Sequence, residues 1–313
     1  MFPRLAVRVL AVACCTAAAF AAESVPRMQA VPQPHAQISF QRDGVEIARY
    51  HYGADNPRPF VFPLIGKSGR SLTRMGHPRD PESHSHHNSV WIGHQSVNGV
   101  NFWEDRGGGR IVHQRLDRFE DGATMALAEV QNAWLDKAGA PVLHERRRIA
   151  VRTIESGEWL LLLDLQLEAR GAAVTFEAGK LGLIGVRMAK TIGVHDGGGA
   201  IRNSEGGEGE GGCFRKPARW VDYAGPITPT ATEGVALFDH PANPNHPAPF
   251  HVRDDGWMGA LLALDAALTV APDAPLRLRY AAYVHDGAPD REAIDRQWQA
   301  FAASPWQEFG AKR

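Results

Sequence analysis

The chain has 313 residues, 44% hydrophobic and 22% charged, with a formal net charge of −1. That is enough apolar chain for one large domain or two small ones. With no long basic or acidic block, it offers neither nucleic acid nor an anionic membrane surface a natural docking face.

The chain opens with "MFPRLAVRVLAVACCTAAAFAAES". Arg4 and Arg8 precede a short apolar run that closes on small residues around Ala19-Phe20-Ala21. This pattern predicts a secretory signal peptide over residues 1–22, cleaved near Ala21 and too short to span a bilayer. Cys14 follows Ala13, but the apolar stretch before it is too brief for lipoprotein processing. The expectation is an exported, periplasmic protein without stable membrane insertion. Removal of the leader leaves Cys213 as the one cysteine, so no internal disulfide is available and the fold must stand on its core. Cys213 lies in "GEGEGGCFRK" with no histidine nearby and reads as a bystander thiol.

Residues 23–36, which include "VPRMQAVPQPHA", read as a flexible lead-in. "AQISFQRDGVEIARYHY" then carries two alternating runs around Asp43-Gly44, a strong hairpin signal. "ATMALAEVQNAWLD", "HERRRIAVRTI", "EWLLLLDLQLEA" and "AAVTFEA" continue as short β-like segments with turn punctuation between them. Residues 196–212, "DGGGAIRNSEGGEGEGG", are glycine-rich and read as a surface loop. "LRLRYAAYVHDG" alternates like a half-buried strand, and "DREAIDRQWQAFAA" places Ile294, Trp298 and Phe301 at helical spacing. Many strands at short intervals and one terminal helix predict an all-β fold. We expect a single large antiparallel β-sandwich over residues 37–304 with a short C-terminal helix.

Three polar clusters interrupt the strands. In "SHSHHNSVWIGH" an extended chain would point His84 and His86 one way and His87 the other. His94 follows, and then "QSVNGVNFWED" supplies Asn98, Asn101, Trp103 and Glu104. An H-x-H pair with a downstream carboxylate is one way to hold a divalent metal, but the usual next ligand is missing before Glu104. The metal-free reading is acid/base chemistry, since clustered imidazoles can include both a neutral base and a charged acid. Amides suit hydroxyl groups, and an aromatic ring stacks on the C–H face of a sugar. The second cluster, "CFRKPARWVDYAG", gathers Arg215, Lys216 and Arg219 beside Trp220 and Asp222, a set suited to clamping an oxyanion. The third, "FDHPANPNHPAPFHVRDDGW", holds His240, Asn243, Asn245, His246, His251 and Arg253 in a proline-stiffened stretch that could wall an active site.

Together "HSHHNSVWIGHQSVNGVNFWED", "RKPARWVDYAG", "GVALFDHPANPNHPAPFHVRDDG" and "LRYAAYVHDG" resemble a bacterial family of exported proteins, DUF6807, often labelled PmoA. Their order covers residues 40–302. Where that family's pattern has Asp-His-Pro-His-His, this chain has Ser83-His84-Ser85-His86-His87, leaving Asp80 and Glu82 as the nearest substitutes for the aspartate. The resemblance implies a broad sandwich like those of sugar mutarotases and polysaccharide lyases, in the company of carbohydrate-degrading proteins. It does not imply the membrane subunit of methane monooxygenase, which consists of spanning helices that this chain lacks.

The expected function is therefore that of an exported carbohydrate-active enzyme of the lyase, dehydratase or epimerase type, acting on oligosaccharides, acidic ones included. His86 or His87 would remove a proton, and His84, His94 or Glu104 would supply the acid or orient the base. Arg215 or Arg219 would neutralise an acidic sugar, and Trp103 or Trp220 would stack on it. No cofactor is required, although a divalent metal on the histidines is an alternative. Glycoside hydrolysis would need a facing pair of carboxylates drawn from Glu104, Asp105, Glu205 and Asp222. A non-catalytic glycan binder and a metal-dependent oxygenase are the further alternatives. All of this requires the three clusters to meet around one pocket.

Overall fold

The computed structural model describes residues 1, 25–76, 84–154, 156–288 and 290–310. The expected leader and its cleavage site, with Asp80 and Glu82, lie outside the described residues. The strands in chain order begin with β1 (Met28–Gln33), β2 (Gln37–Arg42), β3 (Val45–His51), β4 (Phe60–Leu64) and β5 (Val90–His94). There follow β6 (Arg110–Glu120), β7 (Met125–Leu135), β8 (Pro141–Thr153), β9 (Trp159–Glu168), β10 (Val174–Phe176) and β11 (Gly182–Arg187). A helical turn α1 (Val194–Gly197), β12 (Ala200–Asn203) and a second turn α2 (Gly209–Cys213) lead into β13 (Lys216–Pro217), β14 (Trp220–Thr228) and β15 (Ala231–Asp239). The chain ends with β16 (Pro249–Arg253), β17 (Trp257–Ala260), β18 (Leu268–Val270), β19 (Leu276–Asp286) and α3 (Arg291–Ala302).

Nine strands form one antiparallel sheet in the order β1-β2-β3-β4-β5-β11-β17-β16-β13, and eight form another in the order β12-β14-β15-β19-β9-β8-β7-β6. The two enclose a single large apolar core, to which Ile38, Phe40, Val90 and Ile92 contribute from the first sheet and Ile149, Val151, Leu161 and Leu163 from the second. The expected all-β sandwich with one C-terminal helix is the observed architecture. The predicted hairpin is β2–β3, with Asp43 and Gly44 at φ 53° and 78° in the turn. Asp290 caps α3 by accepting the amide of Ala293 at 2.7 Å.

Two local expectations are corrected. The lead-in is a strand over residues 28–33: β1 pairs along β2, with Met28 fully buried. Prolines 26, 32 and 34 masked its alternation in the sequence. The glycine-rich stretch 196–212 is partly regular, because Ile201 anchors β12 in the core and makes it the edge of the eight-stranded sheet.

Strict alternation decides which side chains leave the core. In β5, Val90 and Ile92 point inward, so Trp91 points to the opposite face. β17 buries Met258 and Ala260 and turns Trp257 outward; β16 buries Phe250 and Val252 and turns His251 and Arg253 outward. Between them, a Cβ at Gly185 of β11 would lie 2.5 Å from the Trp91 ring. The strand therefore needs glycine there for the indole to lie flat on the sheet. The outer face of the nine-stranded sheet is thus paved with tryptophan.

Candidate functional site

That pavement is Trp91, Trp103 and Trp257, with Phe60 beside them, all buried and separate from the main core. Trp91 and Trp103 lie 5.1 Å apart and Trp103 and Trp257 5.9 Å apart, centroid to centroid. On it sits the imidazole group. The His87 ring stacks on Trp91 at 5.1 Å and on Trp257 at 5.6 Å. His84 stacks parallel to His87 at 4.6 Å, and His86 meets His87 edge-on at 4.5 Å.

The segment 84–89 is held in this shape by specific bonds. The amide of His87 donates to the carbonyl of His84 at 3.0 Å, and the amide of Gly76 to the carbonyl of His87 at 2.7 Å. Ser89, at φ 58°, donates its hydroxyl to Thr73 at 2.7 Å. Beneath the segment lies Arg58, which is 1% exposed. Its guanidinium donates to the carbonyls of His86 at 3.1 Å and Trp103 at 2.7 Å and to the Asn88 side chain at 2.8 Å, and pairs with Asp105 at 3.2 Å. A second buried arginine, Arg187 of β11, pairs with Asp255 at 2.9 Å. Asp255 also lies 4.0 Å from Nδ1 of His84.

Burial and these two guanidinium groups determine the charge state of His86 and His87. Desolvation, then Arg58, pushes His86 down to about 4. Desolvation pushes His87 further down, helped by His86 and Arg187. Both rings are neutral at pH 7, and each retains a lone pair for a proton. Several buried polar atoms also converge here without a hydrogen-bond partner: Nδ1 of His84 and of His87, and Nε1 of Trp91, Trp103 and Trp257. Buried polar atoms are normally satisfied, so such a concentration marks a place that takes water or ligand.

The stacked His84 and His87 rings do not fit as joint ligands of one metal ion. An ion must lie about 2 Å from each donor nitrogen, in the plane of its ring. The His84 and His87 rings are parallel within 5°, so their lone pairs run side by side instead of meeting. Among the described residues, no group of three or more His, Cys, Asp or Glu side chains could hold a metal ion.

Part of the second and third clusters reaches this face. His251 meets Trp257 at 4.0 Å and Phe214 at 4.9 Å, and its Nδ1 lies 3.0 Å from the carbonyl of Lys180. Desolvation is the main cause that pushes His251 down to about 4, with Arg253 and Arg215 acting in the same direction. Arg215 and Arg253 lie over the Phe214 ring at 5.0 and 5.7 Å. Arg215 is exposed, in the left-handed region at φ 53°, and Arg253 pairs with Glu210 at 2.8 Å. The β16–β17 turn that carries Asp255 is braced from the opposite sheet by Tyr223, whose hydroxyl donates to the carbonyl of Asp254 at 3.0 Å.

The other expected residues lie elsewhere. Arg219 pairs with Asp295 of α3 at 3.1 Å and lies over Trp298, and Trp220 is buried under the same helix. Asp222 is buried in the eight-stranded sheet, bound by Arg202 at 2.9 Å and His285 at 2.8 Å. His240 bonds Arg279, Asn243 bonds Asp239, and His246 bonds Asp239 and stacks on Trp298. Strand alternation puts Trp220 and Asp222 on the outer face of the other sheet, and the β15–β16 loop holds His246 against Trp298 of α3 there, so the three clusters do not meet as a whole. His94 points into the core against Phe176, with its Nδ1 2.8 Å from the carbonyl of Ser96. Asn98 and Asn101 are turn formers, accepting the amides of Thr175 and Trp103. Trp103 is wholly buried, so it is floor and not a stacking platform, and Glu104 is exposed. The carboxylates offered for hydrolysis are likewise dispersed, with Asp222 on the far sheet.

Sequence reasoning missed Arg58, Arg187, Asp255, Trp91 and Trp257 as parts of the site. Trp91 and Trp257 are outward positions of otherwise inward-facing strands, which was a readable signal. Arg58 and Arg187 gave none.

No curated protein matches the chain. Among solved structures, the galactose 1-epimerase of Lactobacillus acidophilus NCFM aligns over 80% of this chain and 95% of its own, at 9% identity and a TM-score of 0.42. A candidate mutarotase (YeaD) of Salmonella typhimurium aligns over 83% and 97%, at 10% identity and a TM-score of 0.34. Residues 37–299 match the model of a family of unknown function, DUF6807, and the chain belongs to that family.

Proposed function

We propose that this chain is an exported enzyme that moves protons on a saccharide bearing a carboxylate, with His86 and His84 as its acid/base pair. The supporting observation is the set of orphaned buried donors and acceptors around three touching imidazoles, with Arg215 and Arg253 over Phe214 on the same face.

In an elimination, neutral His86 takes the proton from the carbon next to the carboxylate. The electron pair left behind forms the carbon–carbon double bond as the glycosidic C–O bond breaks. His84, near Asp255, returns a proton to the leaving oxygen. Arg215, joined by Arg253, holds the carboxylate and stabilises the charge that spreads onto it in the transition state. Epimerisation would use the same first step and reprotonate the other face. A bound carboxylate opposes the field of Arg58 and Arg187, so the bases strengthen as the substrate arrives.

Glycoside hydrolysis is the second reading, because Asp105 and Asp255 stand at this site, one on each buried arginine. Incubating the protein with acidic and neutral oligosaccharides separates the two. Elimination splits the chain without adding water and creates ultraviolet absorbance; hydrolysis adds one water per cleavage. A binder would give no product at all. An oxygenase would show stoichiometric transition metal on elemental analysis.

A further inference from the structure

On the outer face of the eight-stranded sheet, across the core from the imidazoles, β8, β9, β19 and the segment after α3 enclose a cavity of about 270 Å³. Its polar lining includes Thr124, Arg148, Arg152, Asp164, Arg279 and Ser304. Three guanidinium groups therefore face one carboxylate, with Glu129 behind Arg148 as the next anion.

Two of the three are fully engaged. Arg148 donates to Glu129 at 2.6 Å, to Asp164 at 3.3 Å and to the carbonyls of Gln307 and Glu308 at 3.0 and 3.1 Å. Arg279 donates to Asp164 at 2.9 Å and to the carbonyl and hydroxyl of Ser304 at 2.5 and 3.1 Å, and its Nη1 lies 3.0 Å from Nε2 of His240. Arg152 is different. Among the described residues it has no hydrogen-bond acceptor and no carboxylate partner. Burial pushes its guanidinium down, and the charged neighbour acting on it is Arg279, which pushes the same way. A half-buried cation beside another cation is an unfavourable arrangement that an anion would relieve.

We infer that this cavity is an oxyanion site in which Arg152 binds a small phosphate, sulfate or carboxylate group. The guanidinium fork matches such groups bidentately, and Thr124 and Ser304 supply hydroxyls at the wall. The cavity lies just below the size of typical small-molecule pockets, about 300–1,000 Å³, so it suits a small anion or a single anionic head group and not an oligosaccharide. The site is independent of the acid/base reading and survives if that reading fails.

The test is thermal denaturation of the full mature protein and of Arg152→Gln, titrated with sodium phosphate, sulfate, acetate or glucuronate at ionic strength held constant with chloride. Sulfate and phosphate also stabilise proteins without binding, by exclusion from the surface, but that effect does not saturate and is the same in both proteins. The expected result is a saturable rise in Tm for the wild type with at least one probe and at least tenfold weaker apparent affinity in Arg152→Gln. Phosphate and sulfate acting without acetate or glucuronate would identify a tetrahedral ligand; the reverse would identify a carboxylate. Equal saturable shifts in both proteins, or none in the wild type with any probe, would overturn the inference. If Arg152→Gln does not fold, Arg152→Lys takes its place, with the same tenfold weakening expected because the fork is lost while the charge is kept.

Discussion

The guanidinium of Arg58 donates to the main-chain carbonyl of His86 at 3.1 Å. A side chain from before β4 therefore sets the height and orientation of a segment 28 residues later. The same group satisfies the carbonyl of Trp103 and neutralises Asp105. Replacing Arg58 by Met leaves these groups buried and unpaired, a class of change that costs about 3–5 kcal/mol. Urea denaturation is expected to show a loss of that order. Retained stability would mean that the segment is held by its other bonds.

Proton transfer by a positioned side chain contributes about 10²–10⁴-fold to rate. On an active oligosaccharide, His86→Gln is expected to lower kcat within that range and leave KM nearly unchanged, because an amide keeps the shape and loses the base. A binder would instead keep its affinity and have no turnover to lose. His94→Gln, in the core, is expected to lower stability and spare kcat per folded molecule.

The histidines also set a pH dependence. His86 and His251 titrate near 4 when folded, against 6.5 in the unfolded chain. The folded values are the lower ones, so between about pH 6.5 and 4 the unfolded chain binds more protons. Stability is thus present above 6.5 and lost as pH falls through that window, by at most about 1.4 kcal/mol per pH unit for each such group. Urea midpoints at pH 7, 5.5 and 4.5 measure the fall, and His251→Gln is expected to make it shallower. A flat profile would contradict the neutral assignment.

Arg215 and Arg219 separate the proposed carboxylate clamp from a structural ion pair. Arg215→Gln is expected to raise KM for acidic oligosaccharides about tenfold or more and leave the melting temperature unchanged. Arg219→Gln, which loses Asp295 of α3, is expected to do the opposite. An equal effect of both on KM would remove Arg215 from the site.

Gly185 tests the floor. A methyl group at this position meets the indole of Trp91 at 2.5 Å, and overpacking of this kind costs typically about 1–3 kcal/mol. Gly185→Ala is expected to destabilise by that amount and, by lifting Trp91 into His87, to alter tryptophan fluorescence.

Alternation alone made the sandwich legible. The Asp43-Gly44 turn, the alternation of β19 and the helical spacing of Ile294, Trp298 and Phe301 were all readable because they depend on neighbours in the chain. The crowding of His84, His86 and His87 was equally plain. What could not be read was which polar residues share a face, since pairing between strands far apart in sequence decides that. His251 reaches Trp257, on which His87 stacks, because β16 pairs with β17. Asp222 does not, because β14 belongs to the sheet across the core. Arg58 and Arg187 carried no local signal: a buried arginine is identified only by the carbonyls and carboxylates that surround it, and those come together only when the chain folds.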